Sequence, residues 1–93
     1  MNILQQDDEK RGSFYYDEEG KRIAEMTYEW NGNMIININH TEVHEELKGK
    51  GVGKLLVERA VEFAREKGLK ITATCQFAKK VLGEDEQYKD VFK

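Results

Sequence analysis

The alternation of apolar and polar residues in the first half of the chain predicts antiparallel strands. Residues 12–16 are rich in aromatic side chains, residues 22–30 alternate in part, and residues 34–43 place isoleucines at positions 36 and 38. On simple alternation, His40 shares a face with Ile36 and Ile38. The dipeptide Asn31-Gly32 is typical of a tight hairpin, so strand 34–43 should return beside strand 22–30. We therefore expect an antiparallel meander.

The periodicity changes to that of a helix in the second half. Val52–Lys67 has apolar residues at helical spacing, and Gly68 suits the helix C-terminus. Residues 69–74 predict a short buried strand, parallel to strand 34–43 because a helix crosses between them. A short helix over residues 76–82 and one or two turns within 85–92 follow. The predicted fold class is α/β with a mixed sheet: a meander, then a β-α-β unit and short C-terminal helices.

Composition limits the classes of function. A chain of 93 residues makes one domain, residues 1–93, and its net charge of -3 with a pI near 5.4 argues against nucleic acid as a partner. One cysteine allows no intrachain disulfide, and neither a signal peptide nor a membrane-spanning run is visible. We expect a cytoplasmic monomer without membrane contact. An exposed edge strand near residues 14–16 is where a partner strand would pair.

A glycine-rich loop directly before the predicted helix is the main chemical signal. Residues 47–54 read Leu-Lys-Gly-Lys-Gly-Val-Gly-Lys. Glycines let the backbone approach a ligand, and free N–H groups at a helix N-terminus favour anions, so the loop predicts a phosphate site. The glycine spacing fits neither a P-loop nor a dinucleotide fingerprint. The alternative is that the glycines only form a tight turn between strand and helix.

The loop resembles a family signature. Lys48-Gly49-Lys50-Gly51-Val52-Gly53 is similar to the Arg/Gln-x-x-Gly-x-Gly/Ala motif of GCN5-related N-acetyltransferases, with lysine where arginine or glutamine is usual. The segments 40–43, His-Thr-Glu-Val, and 75–77, Cys-Gln-Phe, resemble a miniature single-domain subgroup, so the likeness spans roughly residues 12–92. It implies acetyl-CoA as the cofactor, with Val43 beside the pantetheine arm and phosphates held by the loop. The implied cofactor-binding residues are Val43, Lys48, Gly49, Lys50, Gly51, Val52, Gly53 and Lys54.

Two further side chains are candidates for catalysis. Cys75 follows a strand and begins a helix, where the helix dipole and Lys79 would stabilise a thiolate able to accept an acetyl group. His40 could take a proton from an amine or thiol, and Glu42 is a rival base. The alternatives are an inert buried cysteine and a histidine without a catalytic role. One cysteine and two histidines do not make a zinc site, so no metal is expected.

The resemblance implies an enzyme that transfers an acetyl group from acetyl-CoA to a small-molecule or protein amine. A second hypothesis is a module that keeps the fold and binds coenzyme A or a protein without turnover. A third is a nucleotide-binding regulator that uses the same loop.

Overall fold

The computed structural model describes residues 1–93 and contains one five-stranded sheet in the order β1-β2-β3-β4-β5. The strands are β1 Leu4–Asp7, β2 Arg11–Glu18, β3 Lys21–Trp30, β4 Ile35–Val43 and β5 Lys70–Ala73. Strands β1 to β4 are antiparallel, and β5 runs parallel to β4. The predicted mixed sheet, with a meander followed by a β-α-β unit, is confirmed.

Strand β1 was not predicted, and it corrects the expectation of a free edge at residues 14–16. It pairs with β2 through Gln5↔Phe14 and Gln6↔Ser13. All four of its residues are exposed, so its sequence lacks the apolar alternation by which a strand is recognised. Two of its side chains instead hydrogen-bond to the Tyr28 hydroxyl. Gln5 Nε2 donates to this hydroxyl at 2.9 Å, and the hydroxyl donates to the Asp7 carboxylate. Burial and the Asp7 carboxylate raise the pKa of Tyr28.

Two α-helices follow the meander: α1 spans Val52–Lys67 and α2 spans Gln76–Glu84. Short 3-10 turns cover Glu45–Leu47 and Glu86–Tyr88. Gly68 ends α1 in the left-handed conformation, with φ of 68°, as its position after Lys67 predicted. Neither helix has the length and apolar character that crossing a membrane would require.

The C-terminal segment contains a single 3-10 turn, the shorter of the two expected alternatives. After the 3-10 turn, residues 89–91 continue as a turn and Phe92 forms a parallel bridge with Ile71 of β5. Arg65 of α1 fastens this segment through bonds of 2.9 and 3.0 Å to the Asp90 carboxylate, and its guanidinium lowers the pKa of that group. The backbone of β5 therefore has a partner on its outer side at Ile71.

The hydrophobic core lies on one face of the sheet. Apolar residues of both helices join those of the strands in a single cluster, which includes Phe14, Met26, Tyr28, Ile36, Ile38, Leu56, Ala60, Ala64, Ile71, Ala78 and Leu82. The opposite face, here called the polar face, carries Ser13, Glu25, Thr27, Asn37, His40, Glu42 and Thr72, as the strand register requires. The helices thus leave one side of the sheet without a covering layer.

A β-bulge in β4 changes which residues face the core. The register moves from Tyr28↔Ile38 to Thr27↔His40, so Asn39 is an extra residue in β4. Beyond it, Thr41 pairs with the buried Met26 and lies on the core side. The prediction that His40 shares a face with Ile36 and Ile38 is therefore wrong, because one inserted residue reverses the alternation.

The packing around Gly12 generates a test of the β1–β2 edge. A Cβ atom at this position would lie 2.5 Å from the Gln6 carbonyl oxygen and 2.5 Å from the Tyr28 ring. Gly12→Ala should lower the free energy of unfolding by about 1–3 kcal/mol, because backbone and ring must both shift. Urea denaturation measures the change. As a control, Gly83→Ala meets its nearest atom at 3.8 Å and should be neutral or stabilising; equal losses in both variants would contradict this packing.

Candidate functional site

The site begins where β4 and β5 separate. The two strands pair only from Ile35↔Lys70 to Ile38↔Ala73, and the Ile38 carbonyl accepts hydrogen bonds from both Thr74 and Cys75, at 3.0 and 3.1 Å. Strand β4 continues to Val43, whereas the segment after β5 turns away into α2. The last part of β4 consequently has no strand neighbour on this side, and every second residue directs its backbone N–H and C=O away from β3.

A cavity of about 580 Å³ opens beside this free edge, between β4, the glycine loop and α2. We call it the β4–α2 groove; it is lined by Thr41, Val43, Leu47, Lys48, Gly49, Gly51, Val52, Gly53, Lys54, Phe77 and Val81. All the predicted cofactor-binding residues except Lys50 line this groove. Lys50 is exposed within the loop but is not part of the lining.

The glycine loop presents unpaired backbone amides at one end of the groove. Gly49 and Gly51 have φ of +82° and +74°, values that glycine adopts readily and other residues rarely do. Gly51 is the N-cap of α1 and provides no side-chain cap. The first-turn amides of α1, at Val52, Gly53 and Lys54, therefore have no acceptor within the helix. Together with the positive end of the helix dipole, they offer hydrogen-bond donors of the kind that favour an anion.

Lysine side chains add positive charge to this end. Lys48 Nζ lies 3.1 Å from Glu45 Oε1, but both side chains are well exposed, so the ion pair contributes little to stability and can be exchanged for another anion. Lys54 lies near Asp85; hydrogen bonds from Gln87 lower the pKa of Asp85, and the charge of Lys54 adds to that effect. The groove thus has a cationic end and an apolar body formed by its valine, leucine and phenylalanine side chains.

Cys75 adjoins the groove through Thr41. The Cys75 Sγ atom lies 3.4 Å from Thr41 Oγ1, and Thr41 is one of the lining residues. Cys75 is half-buried and occupies the N-cap of α2, where its side chain caps no amide. The side chain of Lys79 does not contact the thiol; only the Lys79 backbone N–H donates to the Cys75 carbonyl, at 3.0 Å. Electrostatic stabilisation of a Cys75 thiolate would therefore come from the N-terminal end of α2.

His40 and Glu42 lie on the other side of β4. His40 is opposite Thr27 and Glu42 is opposite Glu25, so both belong to the polar face and both are exposed. The structure does not bring His40 into contact with Cys75. Nowhere do three or more His, Cys, Asp or Glu side chains gather as they would around a metal ion.

Four groove residues were not identified from the sequence: Thr41, Leu47, Phe77 and Val81. On simple alternation Thr41 shares a face with Asn37 and Asn39, and only the bulge turns it toward Cys75. Phe77 was within a recognised segment, Cys75-Gln76-Phe77, so its position beside the cysteine was a usable signal. Leu47 and Val81 look like ordinary core residues in sequence, and nothing in their pattern distinguishes them.

Comparisons with known proteins agree on one family. A model described as GCN5-related N-acetyl-transferase matches residues 13–91. Human Protein NATD1 is 36% identical over 62 residues, which cover 67% of this chain and 55% of that protein. The match thus spans little more than half the length of this relative.

Solved structures extend the likeness to the fold. A GCN5-like protein of Staphylococcus aureus, solved by NMR, is 43% identical with a TM-score of 0.74, covering 99% of this chain and 89% of that one. The structure of AAC(6')-Iy, in complex with the bisubstrate analogue CoA-S-monomethyl-acetylneamine, has a TM-score of 0.58 at 18% identity, covering 83% and 63%. At that identity the second likeness concerns the fold alone.

The left-handed backbone at Gly51 generates a test of the loop. Gly51→Val should destabilise the protein more than Gly51→Asn, by about 1 kcal/mol, because asparagine enters the left-handed region far more easily than a β-branched residue. Thermal or urea denaturation of the pair measures the difference. No atom lies within 4 Å of a Cβ at this position, so steric contact does not complicate the comparison. Equal stabilities would show that the loop does not require this conformation.

Proposed function

Because the chain belongs to the GCN5-related N-acetyltransferase family, we propose that it binds acetyl-CoA in the β4–α2 groove and transfers the acetyl group to an amine. One observation carries the proposal: a single groove joins the amide-rich N-terminus of α1 to a free strand edge and to the neighbourhood of Cys75. These three features correspond to the three parts of coenzyme A, its phosphates, its amide-containing arm and its sulfur.

The residues present fit coenzyme A. The unsatisfied amides of residues 51–54 would take the pyrophosphate, and Lys48, Lys50 or Lys54 the outer phosphate. Val43 and its neighbours on β4 offer backbone groups to which the pantetheine arm would hydrogen-bond like an added strand. When bound, the thioester supplies an acetyl group already activated for transfer.

Cys75 is the proposed nucleophile. Its thiolate would attack the thioester carbonyl, form a new carbon–sulfur bond and displace coenzyme A as a thiolate, which takes up a proton. Attack by an amine on the acetylated Cys75 then releases the amide and restores the Cys75 sulfur. The Thr41 hydroxyl, 3.4 Å from Cys75 Sγ, is placed to donate a hydrogen bond to the thiolate.

His40 is the proposed base, with Glu42 as the alternative. Both lie on the polar face, on the opposite side of β4 from Thr41, which lines the groove. A protonated amine approaching over the polar face would lose a proton to His40 or Glu42 before it reaches the acetyl group. We propose a small-molecule or protein amine as the acceptor.

A second candidate is a module that binds coenzyme A without turnover. The position of His40 and Cys75 on opposite sides of β4 favours it, because the two groups cannot form a contacting pair of base and nucleophile as they stand. The two candidates share the groove and differ only in chemistry.

Titration with acetyl-CoA tests the binding site. We expect amide chemical shifts to change at residues 49–54 and at Val43, while hairpin residue Gly32, at the opposite end of β4 from the groove, stays unchanged. ATP and GTP at the same concentration serve as controls. The absence of shifts at Gly51 with millimolar acetyl-CoA would exclude the proposed cofactor, and stronger shifts with a nucleotide would favour a nucleotide-binding regulator.

Mass and turnover measurements separate the enzyme from the binder. Wild type incubated with acetyl-CoA should gain one acetyl group, and Cys75→Ala should not. With a panel of amines, Cys75→Ala should lose at least about 100-fold in turnover, and His40→Gln or Glu42→Gln should lose about 100-fold if that residue is the base. Retained turnover in Cys75→Ala would eliminate the covalent route. Binding without turnover for every amine would support the non-catalytic module.

A further inference from the structure

Phe77 is an unusual residue for its position. It is the chain's only exposed aromatic residue, with 42% of its surface accessible, whereas the other aromatic residues are buried or half-buried. It lies in the first turn of α2, two residues after Cys75, and lines the β4–α2 groove. An aromatic ring that is solvent-accessible within a concave site has apolar surface available to contact a ligand.

The Phe77 ring also explains why residue 53 is glycine. A Cβ atom at Gly53 would lie 2.6 Å from Phe77 Cζ and 2.8 Å from Phe77 Cε2. Gly53, unlike Gly49 and Gly51, is not in the left-handed region, so its backbone conformation does not require glycine. The third glycine of the loop is thus required by the edge of the aromatic ring, which rests against the first turn of α1.

The ring is close to both ends of the groove. It rests against the first turn of α1 with its unpaired amides, and it lies two residues after Cys75, whose neighbour Thr41 also lines the groove. A ligand that fills the groove from the N-terminus of α1 to Thr41 has the ring as part of the groove wall. The apolar side chains of Val43 and Val81 line the same groove, so its middle section is apolar.

We infer that Phe77 is a binding residue that distinguishes a complete acyl-CoA from its nucleotide part: its ring holds the arm that joins the phosphates to the thioester, and Gly53 sets the position of the ring. The inference rests on the proposed function. Burial of the exposed ring against the arm stabilises the complex with a complete acyl-CoA and adds nothing for a ligand that consists of the nucleotide alone.

The test compares two ligands, acetyl-CoA and 3′,5′-ADP, which keeps phosphates but lacks the arm. Dissociation constants measured by calorimetry for wild type and Phe77→Ala should show about tenfold weaker binding of acetyl-CoA and unchanged binding of 3′,5′-ADP. The affinity of Phe77→Leu for acetyl-CoA should lie between those of wild type and Phe77→Ala, because leucine keeps apolar bulk. Amide shifts at residues 49–54 confirm that the loop is intact in each variant.

Gly53→Ala supplies the matched test of the ring's position. Alanine favours the helix over glycine, so folding is retained, but its Cβ displaces the ring. Acetyl-CoA binding should weaken about tenfold in Gly53→Ala, and Gly53→Ala/Phe77→Ala should bind no more weakly than Phe77→Ala alone. Additive losses, equal losses for both ligands, or an unchanged Phe77→Ala would overturn the inference while leaving the proposed function intact. A wild type that binds neither ligand would overturn both.

Discussion

The separation of β4 from β5 is the constraint on which the rest of the structure depends. The ladder ends at Ile38, whose carbonyl accepts from two successive amides, and the bulge at Asn39 follows at once in β4. From there β4 stays paired with β3 but has no strand neighbour on its other side, so a free backbone edge exists inside the molecule rather than at its border. The groove occupies the space that a continued ladder would have closed.

The bulge and the separation act together on the side chains. Without the extra residue, Thr41 would face the solvent on the polar side and Cys75 would have no hydroxyl beside it. With it, three segments contribute to one groove: the end of β4, the glycine loop and, more distant in sequence, the start of α2. The loop in turn depends on left-handed glycines that aim the first-turn amides of α1 into the same space.

Much of this architecture is encoded locally and could be predicted. Helix α1, the hairpin at Asn31-Gly32, the parallel strand β5 and the glycine loop before α1 each follow from a periodicity or a glycine pattern a few residues long. The family resemblance identified the groove residues Val43 and 48–54, apart from Lys50, whose side-chain direction within a loop no pattern specifies. A short sequence pattern was enough to predict an element wherever that segment determines its own conformation.

What could not be predicted depends on pairing between distant segments. A bulge has no sequence signature in strand β4, because alternation looks the same until a partner fixes the register. Strand β1 has no apolar side chain facing the core, and its place is decided by Tyr28 and by the edge of β2. The bridge between Phe92 and Ile71 likewise depends on β5 and on Arg65, neither of which lies near Phe92 in sequence.

The one-sided core divides the sequence into two sets of positions with different freedom to change. Residues facing the helices are close-packed, and substitutions there carry the full energetic cost of cavities or overpacking. The polar face bears no such layer, and surface substitutions of this kind usually change stability by no more than about 0.5 kcal/mol. Residues such as Glu25, Thr27 and Glu42 can therefore diverge between homologues at little cost to folding, so that a new recognition surface can evolve over an unchanged hydrophobic core.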